Sequence, residues 1–333
     1  MEKLIQFKLF DKIKEKLKAE QVLVNELSEV LDISLDSAYR RIRGEKLLNI
    51  NEVFNLCKIF GISLDNFNKE GSAHVNFDYV SVGHHENGFK EYLVLLADDI
   101  EKISKLTNKE IIYAATDIPI FHLFRYPRLV IFKINAWKYS LYPNEKIEFK
   151  DLEDPSILHL CDKITRAYDQ IPATEIWSEK TLLSFIGYID FFFESQICPD
   201  KNLLLNICDD LTALIEDIDS YCDGIKRLET VINKTDKAVR SENLNIFISE
   251  ISAENSFILI KAGGVKMAFI KLFALGSLKT NNSRFYDDTQ IWIDGLLQRA
   301  TLISGSGKKQ RAILMANLKM KVKEVYIKIQ DGK

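Results

Sequence analysis

The stretch DISLDSAYRRIRGEK, Asp32 to Lys46, decides how the first part of this 333-residue chain is read. It opens on a short turn, runs through a serine into nine residues that can form one short helix, Leu35 to Arg43, and stops at Gly44. Ser34 is a good N-cap, because its hydroxyl can accept from an N–H of the first turn that has no helical partner. On a helical wheel Leu35, Ala38, Tyr39 and Ile42 fall on one side. Asp36, Ser37, Arg40 and Arg41 fall on the other, with Arg43 at the edge. The first side can pack on Leu27, Leu31 and Ile33, which leaves a polar, arginine-bearing face outward.

The flanking sequence extends the pattern. Val24 to Leu31 is short and amphipathic, with small Ser28 where two helices need to approach. Leu4, Phe7, Ile13 and Leu17 have helical spacing upstream. Downstream, Ile50 to Phe60 carries apolar Ile50, Val53, Phe54, Leu56 and Cys57, and Gly61 ends it as a C-cap. Ser63-Leu64-Asp65 starts a last turn, giving five short helices between Leu4 and about Phe67.

A helix that follows another after a tight turn, with a polar outer face, has the form of a helix-turn-helix, whose second helix meets base edges in the DNA major groove. An arginine fork matches O6 and N7 of guanine, and arginine also pairs with phosphates. The segment resembles the Cro and lambda-repressor type helix-turn-helix family. The likeness rests on Ile33-Ser34 at the helix start, Gly44 at its end and Gly61-Ile62-Ser63-Leu64-Asp65 after the next helix. It covers about the first seventy residues, roughly a fifth of the chain. Ser-Ala-Tyr-Arg-Arg-Ile also resembles the corresponding helices of lactose-repressor relatives. Asp32 stands where members often have Gly, and Asp tolerates the left-handed conformation. Ser28 replaces the usual Ala, and Val24 or Asn25 stands where Gln or Thr often binds phosphate.

The resemblance implies double-stranded DNA as partner and a transcription regulator of bacterial type. It implies base contacts from Leu35, Asp36, Ser37 and Arg40, and phosphate contacts from Ser34, Arg41, Arg43 and Lys46. One short helix buries little surface, so a homodimer on two half-sites is expected. The competing reading is a protein-protein interaction adaptor whose arginines are merely solvated. From Met1 to Glu70 twelve Lys/Arg balance twelve Asp/Glu, so positive potential must come from local clustering at Arg40, Arg41, Arg43 and Lys46.

The remaining chain has the balance of an ordinary folded protein, with 47% hydrophobic and 28% charged residues and a net charge of −3. The start, MEKLIQFKLFDKIKEKLK, is not a signal peptide. The most apolar long stretch, Ile118 to Tyr142, carries Arg125, Arg128, Lys133 and Lys138, too much charge for a membrane span. Cys57, Cys161, Cys198, Cys208 and Cys222 form no C-x-x-C pair and read as reduced buried thiols. Together these point to a soluble, cytoplasmic chain.

Residues 71–88 read as a linker containing one strand, Asn76 to Val82. Phe89, Leu93, Leu96, Ile100 and Ile103 form a two-heptad seam, open either to a second copy or to packing within the domain. Ile111 to Ala115 reads as a buried strand, Pro119 to about Leu228 as mostly helical, and FIGYIDFFFE (Phe185 to Glu194) as a core helix apolar nearly all round. Leu244–Ile251, Phe257–Ala262 and Val265–Phe273 read as strands, the last two joined at Gly263-Gly264 as a hairpin. Two helices close the chain, around Tyr286–Ile303 and Lys308–Ile329.

The expected fold is mainly α with a smaller antiparallel β part: a five-helix DNA-binding domain over 1–70 and an α+β region over 89–333 that dimerises or senses an effector. No cofactor or metal is called for, since His74, His84 and His85 lack further ligands at defined spacing. LISGSGKKQR (Leu302 to Arg311) is not a Walker A loop and reads as a helix-to-helix turn capped by Ser306. The basic stretch from Lys308 to Lys328 reads as a solvated helix face. Adjacent carboxylates at Asp98-Asp99, Asp209-Asp210 and Asp287-Asp288 point to different sides of a helix, and no nucleophile motif is present, so no enzyme is expected.

Overall fold

A computed structural model of the chain describes residues 5–17, 22–62, 64, 75–80, 88–141, 154–198, 200–229, 234–240, 243–251, 253–272 and 276–332. The chain divides into two compact units, Met1–Asn76 and Phe77–Lys333.

The first unit contains α1 (Ile5–Lys16), α2 (Leu23–Leu31), α3 (Leu35–Ile42) and α4 (Ile50–Phe60). Of the anticipated fifth helix only Leu64 is described. Leu9, Phe10, Ile13, Leu27, Ala38, Leu56 and Ile62 form its core. Gly61 closes α4 in the left-handed conformation, as a C-cap does. Gln6 of α1 ties the helices together at the backbone. Its amide donates to the carbonyls of Arg41 (2.7 Å) and Lys46 (3.1 Å), and its oxygen accepts from the Leu48 N–H (2.8 Å).

The second unit is built on one eight-stranded sheet. Its strands are β1 (Asp78–Val80), β2 (Glu110–Ala114), β3 (Ala173–Trp177), β6 (Leu244–Ile248), β7 (Phe257–Ala262), β8 (Val265–Lys271), β9 (Ser277–Thr280) and β10 (Thr301–Leu302). The order is β1-β9-β8-β7-β2-β3-β6-β10. A separate pair, β4 (Ile225–Glu229) and β5 (Lys234–Arg240), is antiparallel. The expectation of a small antiparallel sheet is corrected: β2, β3 and β6 run parallel, so the sheet is mixed. Parallel neighbours need long crossovers, and helices supply them. Between β2 and β3 lie α6 (Ile120–Leu123), α7 (Pro127–Leu141) and α8 (Pro155–Tyr168), and between β3 and β6 lie α9 (Leu183–Glu194) and α10 (Lys201–Cys222).

The strand anticipated in the linker is the edge strand β1, which pairs with β9 and so belongs to this sheet. Gly263 and Gly264 both have positive φ (56° and 83°), which the tight β7–β8 turn requires. The seam of α5 (Gly88–Lys105) is spent inside the unit: Phe89, Leu93 and Ile100 join the main core. One sheet face, with Ile111, Tyr113, Ala173 and Trp177, packs on the crossover helices. The other, with Ile112, Ala114, Ile176 and Leu259, packs on Tyr286, Ile293 and Leu296 of α11 (Ser283–Leu297).

Two further readings are corrected, and a third is refined: Lys308, Lys309, Lys321 and Lys323 of the last helix are solvated as expected. The helix α9 is not buried all round, because Tyr188 and Phe191 are exposed. The last helix, α12 (Lys308–Asp331), is capped by Gly307 rather than Ser306. A Cβ at Gly307 would lie 2.0 Å from the Leu302 carbonyl oxygen, so only glycine fits there. The basic face of α12 is partly neutralised by neighbouring helices: Arg311 is buried on Asp219 and Asp223, Lys319 meets Glu216, and Lys328 meets Asp190 and Glu194.

At the centre of β3, Glu175 is fully buried and accepts three kinds of hydrogen bond. The donors are His122 Nε2 (2.8 Å), Tyr168 Oη (2.6 Å) and Trp177 Nε1 (2.8 Å). Burial, with the Glu175 charge beside it, holds the Tyr168 phenol well above its ordinary pKa, so it stays a donor.

All five cysteines are free and buried. Among the described residues no helix is long and apolar enough to cross a membrane, and no cluster of three His, Cys, Asp or Glu side chains could hold a metal ion. His74, His84 and His85 lie outside the described residues.

Candidate nucleic-acid interface

The corner between α2 and α3 is fixed by three local devices. Asp32 takes the left-handed conformation (φ 50°, ψ 54°) as the cap of α2. The Ser28 hydroxyl donates to the Ile33 carbonyl at 2.5 Å, which holds the turn against the first helix. The Ser34 hydroxyl accepts from the Ser37 N–H at 3.3 Å and caps α3. A serine at position 28 therefore supplies a bond that an alanine there could not.

The far end of α3 is a Schellman motif. The Gly44 N–H donates to the Arg41 carbonyl (3.0 Å) and the Glu45 N–H to the Arg40 carbonyl (2.9 Å). Gly44 has φ +78°, and an added Cβ would stand 2.6 Å from the Phe7 ring. Glycine is needed here for both reasons.

Between these ends the helix sorts its side chains differently from the wheel. Leu35 and Tyr39 are about half exposed, at 51% and 48%, and stand with Asp36 and Arg40 on the outward face. Ala38 is buried and Ile42 half-buried. Tyr39 was missed as a surface group because an aromatic at helical spacing reads as core.

Arg41 is the main correction. It was expected at a phosphate, yet it is 2% exposed. Its guanidinium binds Glu52 through Nη2 (2.5 Å) and Nε (3.3 Å), and Nη1 donates to the Ser37 carbonyl (3.1 Å). Glu52 also completes the capping box of α4, accepting from the Asn49 N–H at 3.0 Å. Burial pushes the Glu52 carboxyl up, but Arg41 and the Asn49 N–H outweigh it and hold the pKa below its ordinary value. Arg41 thus joins α3 to α4 and is not available to a ligand.

The other expected residues remain at the surface. Ser34, Leu35, Asp36, Arg40, Arg43 and Lys46 are exposed, and Ser37 is half-buried. Arg40 and Arg43 share Glu45, at 3.8 Å and 2.6 Å. The hydrogen bond from Arg43 holds the Glu45 carboxyl below its ordinary pKa. The basic cluster is therefore Arg40, Arg43 and Lys46 with one carboxylate among them. At the start of α2, Val24 is buried and Asn25 exposed.

No family model, no curated protein and no solved structure matches this chain.

Proposed function

We propose that the chain is a sequence-specific DNA-binding transcription regulator. The first unit reads the major groove with α3, and the second unit dimerises or senses a signal. One observation carries this reading: a short helix, locked at both ends and pinned from behind by Arg41 and Ala38, presents Leu35, Asp36, Tyr39 and Arg40 together on an outward face. In this proposal Leu35, Asp36, Ser37 and Arg40 meet base edges, and Ser34, Arg43 and Lys46 meet phosphates.

A second reading has its own support. Leu47, Ile50 and Phe54 are 62%, 73% and 62% exposed around the start of α4, which suits a protein-interaction adaptor. The two separate on salt-dependent duplex binding. Selection from a random duplex library at near-physiological salt, with Arg40→Ala alongside, is the test. An enriched motif, relaxed at one base by Arg40→Ala and weakened by about 1–3 kcal/mol, supports the regulator. Absence of any salt-dependent duplex binding by the folded chain supports the adaptor.

A further inference from the structure

The long helix α12 is apolar on two opposite faces. Arg311, Met315, Leu318, Val322, Val325 and Ile329 are buried against the second unit. Its flanks are tied to its neighbours. Lys328 meets Asp190 and Glu194 of α9 on one side, and Lys319 meets Glu216 of α10 on the other. On the face turned away from the buried one, Ile313, Met320 and Ile327 are 55%, 52% and 44% exposed. Solvent-facing positions of a helix ordinarily carry polar side chains, so three large apolar groups in one line are a departure.

The whole outer line reads Lys309, Ile313, Ala316, Met320, Glu324, Ile327 and Asp331, all exposed. The steps are four, three, four, four, three and four. They average about 3.7 residues, close to one helical turn, so the line runs nearly straight for about 33 Å. The same steps read identically from either end, with Met320 at the centre.

That symmetry selects a partner. A second α12 laid antiparallel about a two-fold axis at Met320 sets Met320 on the partner's Met320 and Ile313 on the partner's Ile327. It also sets Lys309 against the partner's Asp331, an opposite charge at each end. Ala316 faces the partner's Glu324, and its small side chain leaves room for the ion pair that Glu324 makes with Lys321 at 2.8 Å. Lys319 and the partner's Lys321 come to the same flank, but each already has a carboxylate, Glu216 and Glu324. Parallel pairing in register would instead oppose Lys309 to Lys309, Glu324 to Glu324 and Asp331 to Asp331. A two-fold contact of this kind uses one patch on both copies and closes at two subunits.

We propose that the outer face of α12 is an antiparallel homodimer interface, centred on Met320 and closed at both ends by Lys309–Asp331 pairs. One helix face of this length covers less than the roughly 800 Å² per partner of a standard interface, so the dimer is weak, with dissociation in the micromolar range. Weak pairing is enough where two copies sit on one duplex, since the second binding event is then intramolecular. That use rests on the regulator reading, whereas the association itself does not. The test is therefore run without DNA, and failure of one reading leaves the other standing.

The experiment is sedimentation equilibrium of the full chain across the micromolar range. A monomer–dimer equilibrium is expected. Met320→Glu should weaken it at least tenfold with an unchanged urea midpoint, because the position is half exposed in the single chain. Lys309→Asp and Asp331→Lys should each weaken it severalfold, and the two together should restore it, which a merely structural role for either residue would not give. Register is read by disulfide capture, and the five native cysteines are buried and give little background. Ile313→Cys mixed with Ile327→Cys should cross-link, and neither variant should cross-link alone. A monomer throughout the range, a dimer undisturbed by Met320→Glu, no restoration in the charge swap, or cross-linking of Ile313→Cys to itself would each overturn the proposal.

Discussion

Arg41→Met tests whether the inward arginine of α3 is a structural tie. The side chain is 3% exposed and its partner Glu52 15%. Breaking a buried ion pair by removing one member costs about 3–5 kcal/mol. Glu52 keeps some water and its bond from the Asn49 N–H, so the lower end applies, about 3 kcal/mol. At 1.4 kcal/mol per decade this is roughly a hundredfold shift in the opening equilibrium of the first unit. Trp137, Trp177 and Trp292 all lie in the second unit, so tryptophan fluorescence would not report it. Native-state amide exchange across Leu35–Ile42 and Ile50–Phe60 would, and those amides should exchange about a hundredfold faster. The pH dependence has a fixed sign. Because the folded Glu52 pKa is depressed, its stabilisation is present above the ordinary carboxyl value of 4.5 and is lost as pH falls through the lower folded value. Arg41→Met should remove that acid-side loss. Unchanged exchange in the variant, together with a duplex-binding salt slope flatter by about one unit, would refute the tie and return Arg41 to the phosphate contacts.

Other outcomes follow from neighbouring features. Glu45→Gln frees Arg40 and Arg43 from their shared carboxylate, so duplex binding should tighten and its salt slope steepen; unchanged or weaker binding in a salt titration would count against their role at DNA. Arg43→Ala should weaken binding to all sequences alike and flatten the slope by about one unit, and a change confined to one base position would contradict a phosphate role. Gly44→Ala should destabilise the first unit by at least about 1–2 kcal/mol, since it adds a left-handed penalty to the approach on Phe7; a neutral result by amide exchange would mean the loop relaxes freely. Glu175→Leu orphans three buried donors, at about 1–3 kcal/mol each, and should lower the urea midpoint of the second unit sharply. Glu175→Gln should cost much less, because the Tyr168 hydroxyl can turn from donor to acceptor; equal losses in the two variants would sink this account.

Much of the local structure was legible because its signals are local. Ser34, Asp32 and Gly61 act through their own backbone, and Gly263-Gly264 dictates a tight turn by itself. What was hidden depends on distant partners. Ala-Thr-Glu-Ile-Trp was passed over as a strand because Glu175 interrupts its apolar pattern. That glutamate is tolerable in the core only through His122 and Tyr168, from α6 and α8. The parallel pairing of β2, β3 and β6 is set by crossovers of dozens of residues, which leave no short-range mark. Arg41 was misplaced for a related reason. An arginine on a short helix ordinarily faces water, and its acceptor, Glu52, already had a sufficient explanation as a helix cap. Tyr39 erred in the opposite direction, since Ala38, Arg41 and Ile42 already fill the inner side.

The sorting of side chains on α3 also sets how readily the helix can be reprogrammed. Ala38, Arg41 and Gly44 recur every three residues and hold the helix to α1 and α4 through Glu52, Gln6 and Phe7. The hydrogen bonds and ion pairs of the Arg40 and Arg43 side chains go to Glu45 and not to those anchors, and Leu35, Asp36 and Tyr39 are exposed beside them. An outward face from another helix could be grafted onto these five positions while the scaffold stays untouched. Under the proposed function, recognition could then drift by point substitution without passing through an unfolded intermediate sequence. Moving Arg41 would forfeit that freedom, because its change is registered first as stability and only afterwards as specificity.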